Sequence, residues 1–230
     1  MIGVTENFRK IQDLLAKAAM EAGRSPESVR LLAASKTQRP ETVRAAAACG
    51  QLDFGENYVR EGQDKIAACS DLPLIWHFIG HLQSNKTKLV AEHFSWVHTV
   101  DRLKIANRLS KQRPHYAPDL NVCLQINIDN EDGKAGIELA ETLDLVQAVT
   151  ELPRLKLRGL MCIPAARSNT AQQHKPFARM RECLEMLQRE GFDLDTLSMG
   201  MTGDYPAAIA EGATIVRIGT ALFGPRNSHN

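Results

Sequence analysis

The chain of 230 residues lacks long apolar runs and has almost no excess of charge of either sign. No stretch approaches the roughly 20 apolar residues of a membrane-spanning helix, and residues 1–6 become charged too early for a signal peptide. A formal net charge of +1 provides no general attraction for nucleic acid or for an anionic membrane surface. We therefore expect a cytoplasmic protein that binds neither nucleic acid nor membrane.

Cysteine is scarce and badly spaced for either disulfide or zinc chemistry. The five cysteines are odd in number, far apart and without a C-x-x-C pair: Cys49, Cys69, Cys123, Cys162 and Cys183. A disulfide framework pairs an even number of cysteines, and zinc sites use closely spaced ones. Linkers, low-complexity tracts and internal repeats are also missing, so we expect a single domain over residues 1–230.

What the sequence does contain is eight short apolar, β-branched runs with helical patterns between them. They lie at residues 31–36, 51–55, 75–80, 96–100, 121–127, 157–163, 196–200 and 214–219. Several are almost continuously apolar, which is typical of parallel strands covered on both faces. Eight such repeats favour an α/β fold of the (β/α)8 TIM-barrel type. An open, doubly wound sheet is the alternative, because a sequence does not reveal closure of the sheet.

The segments between these runs carry helix signals. Pro40 suits the first position of a helix and Gly50 its end, and Asp101 suits the cap of a helix over residues 102–109. An extra amphipathic helix is predicted before the first strand, from the apolar residues Phe8, Ile11, Leu15 and Ala18.

Lys36 ends the first apolar run, just before a predicted turn. Parallel α/β barrels keep their active sites at the C-terminal ends of their strands. A lysine amine is the side chain that condenses with carbonyl groups to form a Schiff base. The alternative is an ordinary solvated lysine at a strand end.

Glycines and hydroxyls follow the seventh and eighth runs. Ser198 and Gly200 lie at the end of the seventh, and Gly219 and Thr220 at the end of the eighth. Exposed backbone N–H groups and hydroxyls can bind an oxyanion, and barrels often bind phosphate after strands seven and eight. This pattern predicts a phosphate site.

Arg217 lies inside the otherwise apolar eighth run, on the same strand face as Ile215 and Gly219. Its guanidinium stays charged and needs an acceptor, which is either a nearby carboxylate or a ligand in the barrel mouth. A phosphorylated aldehyde such as pyridoxal 5′-phosphate (PLP) would use all three features. Its aldehyde would join Lys36, its phosphate would bind the glycine loops, and Arg217 would donate to its pyridine nitrogen.

Other polar residues support weaker interpretations. His77 and His81 have metal-like spacing but fall on a strand and its exit loop, so we expect no metal. Glu56 suits the cap of a helix beginning near Tyr58, with a general base as the alternative. Lys134 lies in the loop after the fifth strand, where a solvated lysine is expected and a second aldehyde or phosphate site is the alternative.

Over nearly its whole length the sequence resembles the pyridoxal phosphate homeostasis proteins, relatives of the N-terminal barrel of alanine racemase (fold type III of the PLP proteins). The motifs that carry the resemblance are Ala34-Ser35-Lys36-Thr37, Phe54-Gly55-Glu56-Asn57-Tyr58, Trp76-His77-Phe78-Ile79-Gly80, Leu82-Gln83-Ser84-Asn85-Lys86, Gly159-Leu160-Met161, Ser198-Met199-Gly200-Met201 and Val216-Arg217-Ile218-Gly219-Thr220. One departure is Thr202-Gly203-Asp204, where the resemblance leads us to expect a serine and a more acidic continuation.

The resemblance implies a role for each candidate residue. Lys36 would form the Schiff base, Arg217 would face the pyridine nitrogen, and Asn57 would line the pocket. The phosphate would be held by Ser198, Gly200, Gly219 and Thr220. An arginine at the ring nitrogen would leave that nitrogen unprotonated and weaken the ring as an electron sink.

The function implied is intracellular vitamin B6 homeostasis, in which the protein holds PLP on Lys36 without robust catalysis of its own. PLP and other B6 vitamers would be its ligands, with transient contacts to PLP enzymes that lack their cofactor, and it would be a monomer. Alanine racemase has a second domain that supplies a catalytic tyrosine. We expect none here, because the chain ends at Asn230 and its only tyrosines are Tyr58, Tyr116 and Tyr205. The alternative is a PLP-dependent amino acid racemase or another Schiff-base enzyme, such as an aldolase.

Overall fold

Eight parallel strands close into a barrel in a computed structural model that describes residues 2–131 and 133–224. Each strand pairs with the next in chain order, and the last pairs with the first, so the closed barrel is confirmed and the open sheet is wrong. The ends of the expected domain, Met1 and residues 225–230, lie outside the described residues. The strands are β1 (Arg30–Ala34), β2 (Asp53–Glu56), β3 (Ile75–Phe78), β4 (Trp96–Val100), β5 (Leu120–Ile126), β6 (Leu155–Cys162), β7 (Thr196–Ser198) and β8 (Ile215–Ile218).

The described α-helices surround this barrel. They are α1 (Ile2–Glu21), α2 (Pro40–Ala47), α3 (Val59–Ala68), α4 (Thr87–His93), α5 (Leu103–Gln112), α6 (Thr142–Thr150), α7 (Thr170–Arg189), α8 (Tyr205–Ala210) and α9 (Thr220–Phe223). Two short 3₁₀ helices, Pro26–Ser28 and Leu139–Glu141, precede β1 and α6. None of the described helices is long and apolar enough to cross a membrane.

The helix ends agree with the sequence signals at α2 and differ from them at α5. Pro40 begins α2, and Gly50 has a φ of 98° in the turn beyond its end, as predicted. The predicted cap at Asp101 is wrong, because α5 begins at Leu103 with Arg102 in the cap position. The carboxylate of Asp101 instead accepts hydrogen bonds of 2.8 and 2.9 Å from the guanidinium of Arg102.

The extra N-terminal helix is confirmed as α1, which packs against α8 and α9. All four of its predicted apolar residues are buried: Phe8, Ile11, Leu15 and Ala18. They join the large core between the barrel and its helices. Burial of this face, rather than helical propensity alone, stabilises such a helix.

A second, smaller apolar cluster fills the inside of the barrel. Its buried members come from five different strands: Leu32, Trp96, Cys123, Met161 and Ile215. Side chains alternate between the two faces of a strand, so every second residue points to this interior. The interior is therefore closed by side chains, and the barrel presents its functional groups at the ends of its strands.

Candidate functional site

Closure of the barrel brings the ends of β7, β8, β1 and β2 side by side. On β1, Leu32 is in register with Arg217 on β8. Two backbone bonds join a strand to a residue just beyond the end of its neighbour: the amide of Arg217 on β8 donates to the carbonyl of Gly200 at 2.9 Å, and the amide of Ser35 donates to the carbonyl of Gly55 on β2 at 2.9 Å. Candidate residues that are far apart in the sequence thus lie at, or just beyond, the ends of four adjacent strands.

Lys36 lies in a turn directly beyond β1, not on the strand. The predicted run over residues 31–36 ends as a strand at Ala34, and the next residue after Lys36, Thr37, has a φ of 65°. Lys36 is half-buried. Side chains alternate between the two faces of a strand, and Leu32 on β1 faces the barrel interior. Lys36, four residues later, lies on the same side.

A buried lysine, which the sequence analysis missed, holds the segment that carries Lys36. The ammonium of Lys65 on α3 donates to the carbonyl of Ser35 at 2.6 Å. It also pairs with Glu56 at 2.8 Å and with Glu61 at 2.6 Å. Glu61 in turn accepts a hydrogen bond from the amide of Thr37. The turn is therefore fixed on both sides of Lys36.

Glu56 does not cap a helix, so that interpretation is wrong. It is the last residue of β2 and is fully buried, and no side chain caps α3, whose cap position is occupied by Tyr58. Its carboxylate accepts a hydrogen bond of 2.5 Å from the hydroxyl of Ser35 in addition to the one from Lys65. Burial raises the pKa of Glu56, although Lys65 and Ser35 oppose that shift.

Arg217 points into the barrel, as its alternation with Ile215 predicted, and only 5% of its surface is exposed. Its guanidinium donates to the carbonyl of Ser198 at 2.6 Å, to the hydroxyl of Ser198 at 2.8 Å and to the carbonyl of Cys162 at 2.8 Å. None of these acceptors is a carboxylate. Of the five N–H groups of an arginine, the Nε–H and one on Nη2 are left for another acceptor.

The hydroxyl of Ser198 lies inside the barrel and is completely buried. Besides accepting from Arg217, it lies 2.8 Å from Nδ1 of His98. Nε2 of His98 lies 2.9 Å from Nδ1 of His77, whose Nε2 lies 2.8 Å from a carboxylate oxygen of Asp53. A continuous polar chain therefore leads from Arg217 through the barrel interior.

This chain was not predicted from the sequence, although a signal for it was present. Asp53, His77 and His98 are polar residues on three consecutive strands, and each occupies an inward position. The metal-like spacing pairs His77 with His81 instead, and His81 is exposed in the loop after β3. Within residues 2–131 and 133–224, no three His, Cys, Asp or Glu side chains are grouped closely enough to hold a metal ion.

The loop after β7 requires glycine at one position, and the loop after β8 has little room for a side chain at another. Gly200 has a φ of 93°, and a Cβ there would lie 2.6 Å from the Cβ of Ala208. A Cβ on Gly219 would lie 3.1 Å from the carbonyl oxygen of Ala34. Bare backbone at such positions leaves room for a ligand to approach the N–H groups. Thr220, which follows, is exposed.

The loop segment that departs from the family pattern closes on itself. The amide of Met201 donates to the carboxylate of Asp204 at 2.7 Å, and the amide of Asp204 donates to the carbonyl of Met201 at 3.1 Å. Burial raises the pKa of Asp204. Asp204 thus shapes the loop after Gly200, while Thr202 is exposed on its surface.

These residues fit a phosphorylated aldehyde with a ring nitrogen. Lys36 supplies an amine, Arg217 has two N–H groups left to donate, and the two glycines leave backbone amides accessible. Asn57, after β2, has a buried side-chain oxygen without a hydrogen-bond partner. A buried acceptor of this kind is stabilised when a ligand or water donates to it.

Neither Lys134 nor the cysteine thiols belong to the polar contacts of the site. Lys134 is exposed and pairs with Glu131, as expected for a solvated loop lysine. The five cysteines are all free thiols. Burial raises the pKa of Cys123 and of Cys162 to about 12, which makes both thiols poor nucleophiles.

The sequence and fold are similar to those of known proteins. Residues 6–227 match the family model described as alanine racemase, N-terminal domain. The chain is 55% identical over 227 residues to a Pseudomonas aeruginosa protein named pyridoxal phosphate homeostasis protein, covering 99% of this chain and 97% of that one. The structure of PipY from Synechococcus elongatus without PLP is 37% identical with a TM-score of 0.87, covering 96% of this chain and all of PipY. PipY with PLP bound is 38% identical with a TM-score of 0.79, covering 91% of this chain and 100% of PipY.

Proposed function

This chain belongs to the pyridoxal phosphate homeostasis protein family, and from that premise we propose that it binds PLP as a Schiff base on Lys36. Its role is then to hold the cofactor and limit the free aldehyde in vitamin B6 homeostasis. The PipY structure with PLP bound supports PLP as the ligand. When bound, PLP supplies a reactive aldehyde and a pyridine ring that can accept electrons.

One observation carries the proposal, namely the closure of the barrel between β8 and β1. It places the turn with Lys36 beside Gly219, whose missing Cβ would touch the carbonyl of Ala34. Gly200 is joined to the same edge by the hydrogen bond from the amide of Arg217. An amine, glycine-lined backbone and a buried guanidinium therefore surround one end of the barrel.

Each residue has a proposed task in this site. Gly200, Gly219 and Thr220 hold the phosphate through backbone N–H groups and a hydroxyl, and Asn57 lines the pocket with its unpartnered oxygen. Arg217 donates to the ring nitrogen with an N–H that its protein partners leave unused. We assign Ser198 to the arginine end of the pocket rather than to the phosphate, because Arg217 and His98 already engage its hydroxyl.

We propose binding rather than catalysis because none of the described tyrosines is placed to act as a second acid–base group. Racemisation needs proton donors on both faces of the substrate carbon, and Lys36 supplies only one. Tyr116 lies before β5, at the opposite end of the barrel from Lys36, and Tyr205 packs against the outer core. Tyr58, after β2, is 61% exposed, so water competes for its hydroxyl.

Two measurements test this role. Titration of the purified protein with PLP should give a stoichiometric complex, and a chiral assay across a panel of amino acids should show no enzyme-like turnover by that complex. Turnover that depends on Lys36 would favour the racemase alternative. The proposal also includes a monomeric state, a cytoplasmic location and transient contacts with PLP enzymes that lack cofactor, which the family resemblance supports. Sedimentation at micromolar concentration tests the monomer.

A further inference from the structure

A chain of buried polar groups crosses the inside of the barrel from Arg217 on β8 to Asp53 on β2. Its members are joined by contacts of 2.8 to 2.9 Å through Ser198, His98 and His77. Beyond Asp53, Arg30 pairs with the same carboxylate at 3.4 Å and is partly exposed at the other mouth of the barrel. Polar groups in a barrel interior cost stability unless each one is satisfied, so this chain needs an explanation.

The two ends of the chain fix the direction of every hydrogen bond in it. A guanidinium can only donate and an ionised carboxylate can only accept. Nε2 of His77 must therefore donate to Asp53, which leaves Nδ1 of a neutral His77 as an acceptor. That acceptor requires Nε2 of His98 to donate, so Nδ1 of His98 accepts the proton of the Ser198 hydroxyl. The lone pairs of that hydroxyl then face Arg217.

Burial favours the neutral form of both imidazoles, the form that this direction requires. His77 and His98 are fully buried, and burial is the largest cause of the lowered pKa of each. For His98 the positive charges of Arg217 and Arg30 lower the pKa further, whereas for His77 the hydrogen bond and charge of Asp53 oppose the shift that burial causes. Trp96 stacks on His77 with ring centroids 5.3 Å apart and holds that imidazole in place.

We propose that Asp53, His77, His98 and Ser198 form a one-directional hydrogen-bond relay that positions Arg217 toward the cofactor. Within the relay, the Ser198 hydroxyl donates its proton to His98, so that only its acceptor lone pairs face the guanidinium of Arg217. With the carbonyls of Ser198 and Cys162, it fixes the plane of Arg217 and leaves the Nε–H and one Nη2–H unused. The effect on cofactor binding rests on the proposed function, whereas the relay itself does not.

The direction of the relay can be measured in the cofactor-free protein without any substitution. Two-bond ¹H–¹⁵N correlation spectra of the imidazoles at pH 7 report which nitrogen of each histidine carries the proton. Both His77 and His98 should be neutral with the proton on Nε2. A proton on Nδ1 of either ring, or a charged imidazolium, would overturn the relay. His115, which is exposed, serves as an internal reference for ordinary tautomer exchange.

The link to the cofactor is tested by comparing Ser198→Ala with Ser110→Ala. Ser110 is also a buried hydroxyl, but it donates to the carbonyl of Pro153 outside the barrel interior. Loss of a hydrogen bond to a charged group corresponds to about a tenfold effect, so S198A should bind PLP about tenfold more weakly while S110A binds like the native protein.

A second readout follows the ring nitrogen itself, using PLP labelled with ¹⁵N at that position. The ¹⁵N shift in S198A should move away from its native value, and the shift in S110A should not. Equal affinity and equal shift in S198A and the native protein would overturn the positioning of Arg217. Failure of the native protein to bind PLP would instead remove the proposed function, while the tautomers would still decide the relay.

Discussion

Lys65 donates a hydrogen bond of 2.6 Å to the main-chain carbonyl of Ser35, the residue immediately before Lys36. The ammonium is buried between two carboxylates, those of Glu56 and Glu61. Such a group is costly to bury alone, and its three partners make the arrangement stable. The site therefore depends on a second lysine that never touches the cofactor in the proposed complex but fixes the turn that presents Lys36.

Replacing Lys65 with methionine should destabilise the protein strongly. Lys65→Met keeps the apolar part of the side chain but leaves Glu56 buried without its cation, which corresponds to a loss of about 3–5 kcal/mol in the free energy of unfolding. Denaturant titration measures this loss. Lys88→Met is the matched control, because Lys88 is largely exposed and pairs with the exposed residue Glu92 along α4. That variant should change stability by about 0.5 kcal/mol or less. Similar stabilities of the two variants would contradict the role of Lys65.

Adding a methyl group at Gly200 should damage the loop after β7. Gly200→Ala must hold a φ of 93° and place its Cβ 2.6 Å from Ala208, so we expect a loss of about 1–3 kcal/mol in stability. PLP affinity should fall as well, because the backbone amides of this loop are assigned to the phosphate. Gly203→Ala is the control in the same loop, since its Cβ would meet no atom within 4 Å. An unchanged PLP dissociation constant in G200A would remove Gly200 from the phosphate site.

Stability should decline on acidification because of the buried histidines. In the unfolded chain they take up protons near pH 6.5, whereas burial lowers the pKa of both His77 and His98 in the fold. Below about pH 6.5 the unfolded state binds more protons, so the free energy of unfolding falls as pH falls, by up to about 1.4 kcal/mol per pH unit for each histidine. The raised pKa of Glu56 has the opposite effect on stability. As the pH falls through the folded-state pKa of Glu56 toward about 4.5, the folded state binds more protons and the free energy of unfolding rises.

Denaturant titrations at a series of pH values isolate the histidine contribution. His98→Asn should show a flatter dependence between pH 6.5 and 5 than the native protein, and His115→Gln should match the native curve because His115 is exposed. The cations that face His98 are Arg217 and Arg30, and both oppose its protonation. Asp53, 2.8 Å from Nε2 of His77, favours protonation of that ring but does not reverse the shift that burial causes. If the free energy of unfolding of the native protein did not change between pH 6.5 and 5, His77 and His98 would not be held neutral in the fold.

The cysteines should differ sharply in reactivity. Burial raises the pKa of Cys123 and Cys162 to about 12, so neither should react with a thiol reagent at pH 8 while the protein is folded. Cys49 is half-buried at the end of α2 and should react first. A time course of thiol titration, with and without denaturant, measures this order. Rapid native-state labelling of Cys123 would contradict the closed barrel interior.

Much of the fold could be predicted from the sequence, since eight apolar runs alternate with helical patterns. The bounds of β4 agree fully, and the four apolar residues of α1 are buried as predicted. Closure was favoured only by the count of eight strands, because the pairing of β8 with β1 joins residues 185 positions apart and has no local signature. The cap predicted at Asp101 failed because an adjacent arginine takes its carboxylate.

The candidate site, like the fold, could be predicted only in part. Lys36, Gly200, Arg217 and Gly219 could be selected from strand ends and from one charged residue in an apolar run. Lys65 was missed because a lysine on a helix is normally solvated, and only tertiary packing reveals that its ammonium lies under the turn. The relay of Asp53, His77, His98 and Ser198 was missed because its members are spread over β2, β3, β4 and β7, and its hydrogen bonds form only once the barrel closes.

The central claim is that PLP is bound through Lys36, and the visible absorption spectrum tests it most directly. The native protein with added PLP should show a yellow band that borohydride bleaches, and Lys36→Ala should lack it. Lys134→Ala, which removes an exposed lysine of the same end of the barrel, should keep the band. A native protein that stays colourless with PLP, or a band that persists in K36A, would contradict the account.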